Sequence, residues 1–367
     1  MTQRITNLQA IAIIVFAIVP SSLLYVPSFV IQISKQDGWI SVLLTMAVSL
    51  LLSCVIGYIC REGERRPLLE WLQSRFGKGI ATVIGLVLCC YYFVTAAVVV
   101  RQFSNFMSEQ TLQTTPIFML AAIIVLVSGF TASQGQETLA RVIFVVFLVF
   151  MLSLGVNLFL IWWQFDLQQF LPIIESSANQ YIASGFMPLG CLSGTAVLLL
   201  FLPFLENTAS AVKIAVWGTV ISGLLFTLVT AVTIAVFGTE IISAMSYPAF
   251  AAIGTVEIGQ FIERIDVLLV SAWTASMFAQ VSIFMYGFFQ LAFQTFKLKA
   301  HFSHYAAGGI GILATALFAW PNSLVVTEFS YTTLTIYFLL NNYTICLLIW
   351  CGLRWTRHKA RPSEGRV

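Results

Sequence analysis

The sequence predicts an all-α polytopic membrane protein with ten transmembrane helices, arranged as a 5+5 inverted repeat with broken helices 1 and 6. Three observations support this prediction: the composition, the length of the apolar segments, and two helix-breaking stretches at related positions. Of the 367 residues, 59% are hydrophobic and only 9% are charged, whereas roughly a quarter are charged in soluble domains. A chain with so few charges cannot cover a water-facing surface, so we expect it to lie in a membrane.

Ten apolar segments have the length of about 20 residues that a helix needs to cross a bilayer. They span residues 8–33, 39–60, 80–104, 117–132, 140–163, 183–203, 214–237, 263–293, 303–320 and 333–353. Transmembrane strands would instead alternate apolar and polar residues over about ten positions. We therefore predict a single transmembrane domain over 1–367, with repeat one at 8–163, repeat two at 183–353 and a basic cytoplasmic tail at 354–367.

The cationic side chains are distributed unevenly between the two sides of the predicted bundle. If the N-terminus is cytoplasmic, Lys35, Arg101 and Arg264 are the three cations on the outer side, which leaves 15 of the 18 Lys and Arg residues on the cytoplasmic side. Cytoplasmic loops of membrane proteins carry such an excess of positive charge. The distribution therefore predicts that the N- and C-termini are both cytoplasmic.

Two helix-breaking stretches lie in the first helix of each half. "FAIVPSSLLYVPSF" (residues 16–29) contains Pro20, and "GFMPLGCLSGTAVLL" (185–199) contains Pro188 and three glycines. Spans 1 and 6 start about 175 residues apart, as do spans 2 and 7, with opposite orientations expected, which is the pattern of an inverted repeat. Backbone groups freed by proline in hydrocarbon need partners in protein or in a wet cavity. Packing alone can also explain such kinks, but the paired positions favour a binding site.

The two breaks would hold a small polar solute such as a zwitterionic amino acid. Its carboxylate would face the N–H groups of Ser21, Ser22 and Leu23, and its ammonium group the carbonyls near residues 18–19 and 191–193. We therefore take the residues around both breaks as candidate substrate-binding residues. They are Val19, Pro20, Ser21, Ser22, Leu23, Cys191, Ser193, Gly194 and Thr195.

Six short motifs occur in order along the chain. They are "LLYVPS" (23–28), "KQDGWIS" (35–41), "PLLEWLQSRFGKGI" (67–80), "FLPFLENTASAVK" (201–213), "GQFIERIDVLLVSAW" (259–273) and "AWPNS" (319–323). Together they resemble the endospore germination permease family, the B-subunits of spore nutrient-germinant receptors, within the amino acid/polyamine/organocation transporter superfamily. In one departure, residues 193–196 carry no acidic side chain beside the span 6 glycine, where family members often do.

The resemblance implies a receptor subunit in the inner spore membrane that binds a small nutrient such as an amino acid and signals germination. It also implies two partners, a germinant-receptor A-subunit and a C-subunit lipoprotein. Spans 3 and 8 pack beside the broken helices in this superfamily, so Tyr92, Thr95 and Tyr286 are further candidates for the site. An amino acid permease is the alternative. The absence of a clear mid-span Asp, Glu, Lys or His from the sequence argues against a proton-driven pump.

Other classes of site find little support in the sequence. The seven cysteines lie mostly in apolar spans and form no pattern with histidine, so we expect neither a disulfide framework nor a metal site. The sequence has no HExxH motif, so we expect neither an enzyme nor a cofactor. The basic tail suits anionic lipid rather than nucleic acid. "PLLEWLQSRF" predicts an interfacial helix on the cytoplasmic face, whose apolar side contacts the membrane, with docking to a partner as the alternative.

Overall fold

The computed structural model describes residues 4–63, 65–242, 245, 247–254 and 266–359, and these residues are almost entirely helical. The first half contains α1 (Asn7–Ser22), α2 (Val26–Ser34), α3 (Gly38–Glu62), α4 (Leu68–Phe76), α5 (Lys78–Phe106), α6 (Ile117–Ser133) and α7 (Gln136–Ile161). The second half contains α8 (Ala178–Leu192), α9 (Leu198–Phe201), α10 (Ala211–Ile242), α11 (Pro248–Gly254), α12 (Asp266–Phe296), α13 (Phe302–Phe318), α14 (Ser323–Tyr331), α15 (Thr333–Phe338) and α16 (Ile345–Lys359). The predicted all-helical membrane fold is confirmed. The end of the basic tail, 360–367, and residues 255–265, which include the first three residues of predicted span 8 and the predicted outer cation Arg264, lie outside the described residues.

Among the described residues, fewer helices are long and apolar enough to cross a membrane than the ten spans that the sequence predicts. Seven helical segments of the described ranges are long and apolar enough to cross a membrane, and the α13–α14 pair, bent by 102°, adds an eighth. One of the seven is Val26–Glu62, with 37 residues. A straight helix of that length would be about 55 Å long, against a hydrocarbon core of about 30 Å. Lys35, with φ 44°, interrupts it between α2 and α3, so the ten-span count stays a prediction.

The order of helices is the same in the two halves. Each half begins with an interrupted helix: span 1 consists of α1 and α2, and span 6 consists of α8, a 3-10 segment at Ser193–Val197, and α9. A long helix follows (α3 or α10), then a short one (α4 or α11), a long one (α5 or α12) and a 17-residue helix (α6 or α13). The long helices pack in matching pairs, α3 along α10 and α5 along α12. This order is that expected for an inverted repeat.

The two interrupted helices also begin with the same capping motif. Thr6 caps α1 and exchanges hydrogen bonds with Gln9, and Ser177 caps α8 and exchanges them with Gln180. Such a capping box satisfies backbone N–H groups that have no partner within the helix. Both spans therefore start at positions that their own side chains define.

Hydrogen bonds connect both ends of span 1 to span 6 or to the segment that precedes it. Before α1, the N–H group of Ile5 donates to the carbonyl of Phe204 at 2.8 Å, and the carbonyl of Ile5 accepts from Glu206 at 3.0 Å. After α2, the buried carboxylate of Asp37 accepts three backbone N–H groups, all at 2.8 Å, from the segment 174–176 that precedes α8. The hydroxyl of Tyr181 in α8 donates to the same carboxylate at 3.1 Å. These two connections hold the broken helices side by side.

The short helix α4 forms as predicted, but its environment differs from the prediction. Its apolar residues pack against α5, and Trp71 and Leu72 are at most 1% exposed. The side chain of Leu69 lies so close to Gly85 of α5 that a Cβ atom there would be 2.8 Å from it. The predicted membrane contact of this apolar face is therefore wrong, because the protein itself covers the face.

Candidate functional site

The interruption of span 1 comes slightly later than its first proline suggests. Helix α1 continues past Pro20 to Ser22, and residues 23–25 form a turn before α2 begins at Val26. The N–H groups of Leu24 and Tyr25 donate to carbonyls three residues earlier, at 3.3 and 3.1 Å. Pro27 lies in the first turn of α2, where a missing N–H group costs nothing. The predicted break in helix 1 is confirmed, and its second half opens at Val26 rather than at Ser21.

Two side chains of α12 bind backbone groups of span 1 around Pro20. The N–H group of Ser21 donates to Oε1 of Gln280 at 3.0 Å, and Nε2 of Gln280 donates to the carbonyl of Ala17 at 3.2 Å. Nε1 of Trp273 donates to the carbonyl of Pro20 at 2.9 Å. Gln280 and Trp273 are seven residues apart, about two helical turns, and so lie on the same face of α12. Both are at most 1% exposed, so α12 supplies polar partners to span 1 where water is excluded.

The interruption of span 6 is a tightening of the helix. Between α8 and α9, residues Ser193–Val197 form a 3-10 segment, and such a segment inside a longer helix often marks a hinge. The hydroxyl of Ser193 donates to the carbonyl of Gly190 at 2.5 Å, and that of Thr195 donates to the carbonyl of Leu192 at 3.0 Å. The predicted break in helix 6 thus takes the form of a change from α-helical to 3-10 geometry, with short polar side chains that bond to its backbone.

The two interruptions lie against each other. A Cβ atom at Gly194 would be 2.9 Å from Cγ1 of Ile18 and 3.6 Å from the carbonyl oxygen of Ala17. Only glycine therefore allows span 6 to approach span 1 this closely. A cavity, here called the central cavity, opens beside this contact. Six of its lining residues come from the two broken helices: Ala17, Ile18, Ser21, Ser22, Cys191 and Gly194.

The rest of the lining of the central cavity comes from α5, α12 and the segment around α15. These residues are Tyr91, Val99, Gln102, Gln280, Phe284, Leu334 and Phe338. None of the described lining residues carries a carboxylate, ammonium, guanidinium or imidazole group. The volume open to the centre of a water-sized sphere is about 10 Å³, room for about one water. In this conformation the central cavity is therefore too small for a solute much larger than a water molecule.

One amide in the lining has an unused acceptor. Nε2 of Gln102 donates to the hydroxyl of Ser330 at 2.9 Å. Its Oε1 is buried and has no hydrogen-bond partner among the residues that the structure describes. A buried acceptor left without a donor costs about 1–3 kcal/mol. Gln102 is therefore suited to accept a hydrogen bond from a solute or a water in the central cavity.

A second amide joins three helices at the edge of the cavity. Nδ2 of Asn342 donates to the hydroxyl oxygens of Tyr91 and Ser193, both at 2.9 Å. Asn342 belongs to a π-helical segment, Leu339–Thr344, and such irregularities are frequent at functional sites. Because Tyr91 also lines the central cavity, Asn342 connects one lining residue directly to span 6 and to the last span.

The predicted site residues of spans 1 and 6 are all near the breaks, and four of them line the central cavity: Ser21, Ser22, Cys191 and Gly194. Val19 and Pro20 belong to the same buried part of α1. Leu23 lines a separate apolar cavity beside Trp273. Ser193 and Thr195 are buried. The hydroxyl oxygen of Ser193 accepts a hydrogen bond from Nδ2 of Asn342, and the hydroxyl group of Thr195 contacts that of Thr219. The N–H groups of Ser21 and Leu23 are already engaged, by Gln280 and by the carbonyl of Val19.

The three secondary candidates lie near the site but outside the lining of the central cavity. Tyr92 lines a second, mostly apolar cavity with Asn341 and Asn342. Thr95 is fully buried in α5. Tyr286 stacks on Phe201, with 5.2 Å between the ring centroids. Their binding roles stay predictions.

Three amides that organise the site were not among the residues predicted from the sequence: Gln102, Gln280 and Asn342. The prediction rested on charged side chains and on the breaks, and neutral amides belong to neither group. A signal was nevertheless present, because Gln280 lies near the middle of the 31-residue apolar helix α12. An amide at that depth needs a specific polar partner, as a charge does.

Comparison with known sequences identifies the family. The model of a family described as "Spore germination protein" matches residues 4–324. Spore germination protein KB of Bacillus subtilis (strain 168) is 24% identical over 321 residues, which cover 86% of this chain and 84% of that protein. Spore germination protein B2 of the same strain is 21% identical over 277 residues, which cover 75% of each chain.

Solved structures with a similar fold are transporters. A Na⁺-coupled sialic acid symporter, solved in a substrate-bound outward-open state, matches 91% of this chain and 78% of its own, with a TM-score of 0.63 and 12% identity. A manganese transporter of Eremococcus coleocola matches 94% of this chain and 76% of its own, with a TM-score of 0.60 and 12% identity. At such identity the likeness concerns the fold alone. The family match over most of the sequence confirms the resemblance seen in the motifs: the chain belongs to the spore germination protein family and has a transporter-like fold.

Proposed function

We propose that this chain is a nutrient-germinant receptor subunit, which binds a small nutrient such as an amino acid in the central cavity and signals spore germination. The observation that carries the proposal is the meeting of the two broken helices, at Gly194 and Ile18, beside an uncharged cavity with polar groups. The names of the relatives, which are spore germination proteins, supply the biological context.

The chemistry of the central cavity favours a solute without net charge. A ligand with a net charge would be buried without an opposite charge from the described lining residues, which is costly in a membrane. A zwitterion brings its own compensation. Its ammonium group would donate to Oε1 of Gln102 and to carbonyls of α1, and its carboxylate would accept from the N–H group of Ser21.

Signalling would follow from the small size of the closed cavity. A nutrient needs more room than one water, so binding would favour a conformation in which the helices around the cavity are further apart. The germinant-receptor A-subunit and the C-subunit lipoprotein are the partners we propose to receive this change. We place the complex in the inner spore membrane, with both termini of this chain cytoplasmic, on the basis of the family and the loop charges.

An amino acid permease is the second candidate, and the likeness of the fold to transporters favours it. The two functions differ in what the chain does alone. A permease in sealed vesicles would accumulate or exchange a radiolabelled amino acid, whereas a receptor subunit would bind it without uptake.

Deletion of the gene in a spore-forming host, followed by germination tests nutrient by nutrient, examines the proposal directly. We expect the response to one nutrient to be lost and to be restored by the wild-type gene. Gly194→Leu should fail to restore it, because the added side chain would collide with Ile18. Gly155→Leu is the matched control, since a Cβ atom at Gly155 meets no atom within 4 Å. Unchanged germination with every nutrient, in a host without a paralogous gene, would contradict the proposal.

A further inference from the structure

We infer that the carboxamide of Gln280 occupies the position of the ligand's polar main-chain groups, and that a bound α-amino acid displaces it from span 1. The identity of the ligand rests on the proposed function. The contact of Gln280 with span 1 does not, and it can be tested without any ligand.

Gln280 binds two backbone groups of α1. Ser21 offers an N–H donor and Ala17 a carbonyl acceptor, and both residues line the central cavity. The carboxamide matches them with an acceptor, Oε1, and a donor, Nε2, carried on one carbon atom. An α-amino acid presents the same combination on adjacent carbon atoms, with a carboxylate as acceptor and an ammonium group as donor. The charged groups would make the stronger hydrogen bonds.

The size of the cavity makes displacement necessary. The central cavity has room for about one water, and Gln280 is one of its lining residues. A solute that reaches Ser21 and Ala17 while Gln280 stays in place would overlap the carboxamide. Withdrawal of the Gln280 side chain both frees the two backbone groups and enlarges the cavity.

Displacement would change how α12 is attached to span 1. Helix α12 holds span 1 through the side chains of Gln280 and Trp273. The bond from Trp273 to the carbonyl of Pro20 lies on the turn side of the proline and outside the central cavity, whose lining does not include Trp273. Ligand binding would therefore release one attachment and keep the other. Span 1 would gain freedom at Ser21 and Ala17 while it remains anchored at Pro20.

The first arm of the test uses no ligand. The full chain is purified in lipid nanodiscs with Gln280 intact, with Gln280→Leu and with Gln280→Met, each in a background in which the other six cysteines are replaced and Cys191 alone remains. Gln294→Leu is the control, because Gln294 lies on the same helix about 21 Å away along its axis. We expect alkylation of Cys191 and hydrogen exchange at the amide of Ser21 to be about tenfold faster in both Gln280 variants, and unchanged in Gln294→Leu. Gln280→Met keeps the length of the side chain and serves if Gln280→Leu does not fold. Unchanged rates in a folded Gln280 variant would overturn the inference.

The second arm measures the affinity for each of the twenty standard amino acids. If Gln280 competes with the ligand, an amino acid that binds the wild type should bind Gln280→Met about tenfold more tightly. Weaker binding would show that Gln280 holds the ligand, and would overturn the displacement. Propionate and ethylamine, which carry only one of the two groups each, should gain less than the amino acid. Absence of binding to either protein would refute the proposed ligand class and with it the displacement, while the first arm would still decide whether Gln280 restrains span 1.

Discussion

The hydroxyl oxygens of Thr195 and Thr219 lie 2.8 Å apart, which joins the 3-10 segment of span 6 to α10. Thr219 also lies 2.6 Å from the hydroxyl oxygen of Ser53 in α3. The three residues are fully buried, so their hydroxyl groups find hydrogen-bond partners in one another and in nearby backbone carbonyls rather than in water. A chain of hydroxyl contacts thus connects the broken part of span 6 to the paired long helices α3 and α10.

Thr219→Val should weaken this connection. The substitution keeps the shape of the side chain and removes the hydroxyl group between Thr195 and Ser53. Because both partners also donate to carbonyls of their own helices, we expect a modest loss of about 1–2 kcal/mol in the free energy of unfolding. Equilibrium unfolding in mixed micelles would measure it. Thr227→Val is the control, since Thr227 bonds the carbonyl of Gly223 in its own helix, and a loss there as large as that at Thr219 would contradict the prediction.

Asp37→Ala should loosen the connection between α2 and α8. The change leaves the N–H groups of Ile174, Glu175 and Ser176 without the carboxylate that accepts from them. We expect the free energy of unfolding to fall by about 2–3 kcal/mol, with faster hydrogen exchange over 174–176. Asp166→Ala removes an exposed carboxylate from a nearby turn and should cost less than about 1 kcal/mol. Equal protection of 174–176 in the wild type and Asp37→Ala would refute this role of Asp37.

Gly57→Ala should separate α3 from α10. A Cβ atom at Gly57 would lie 2.5 Å from the Cα atom of Val212, and backbone atoms cannot rotate away as a side chain can. We expect a loss of about 1–3 kcal/mol in the free energy of unfolding. Gly155→Ala places the same methyl group in open space on α7, and it should leave stability unchanged or slightly raise it. Similar unfolding curves for the two variants would show that the close contact of α3 and α10 is absent in the protein.

Trp71→Ala tests whether α4 packs on the protein or lies on lipid. Trp71 is 1% exposed, so its removal should leave a cavity and cost about 3–5 kcal/mol. Trp217, on the outer face of α10, is 56% exposed and serves as the control, because Trp217→Ala removes few protein contacts. The unfolding of both variants is measured in detergent, where the bilayer itself contributes nothing. A small effect of Trp71→Ala there would restore the membrane-contact interpretation of α4.

The sequence predicted the class of fold because the membrane imposes it. Long apolar segments can only be helices there, and Pro20 and Pro188 disturb helices by local chemistry that needs no knowledge of the rest of the chain. The exact place of the break in span 1 was less accessible. Gln280, 260 positions after Pro20, supplies partners that let α1 continue to Ser22, and no local pattern reveals such a distant partner.

The environment of α4 shows a second limit of the sequence. An apolar face at helical spacing is the same pattern whether lipid or protein covers it, so the residues around Trp71 do not distinguish the two. The site itself was predicted at the level of the two breaks. The amides Gln102, Gln280 and Asn342 were not predicted, because their hydrogen-bond partners lie on other helices. Tertiary packing decides which helices meet, and no local pattern in the sequence shows it.

The hydrogen bonds that connect span 1 to span 6 at both ends limit how the two helices can move. Ile5 joins the start of α1 to the end of α9, and Asp37 joins the end of α2 to the start of α8. Two helices that are joined at both ends move together as one unit. The central cavity then widens where α5 moves away from this pair, while Trp273 keeps α12 attached to span 1 at Pro20.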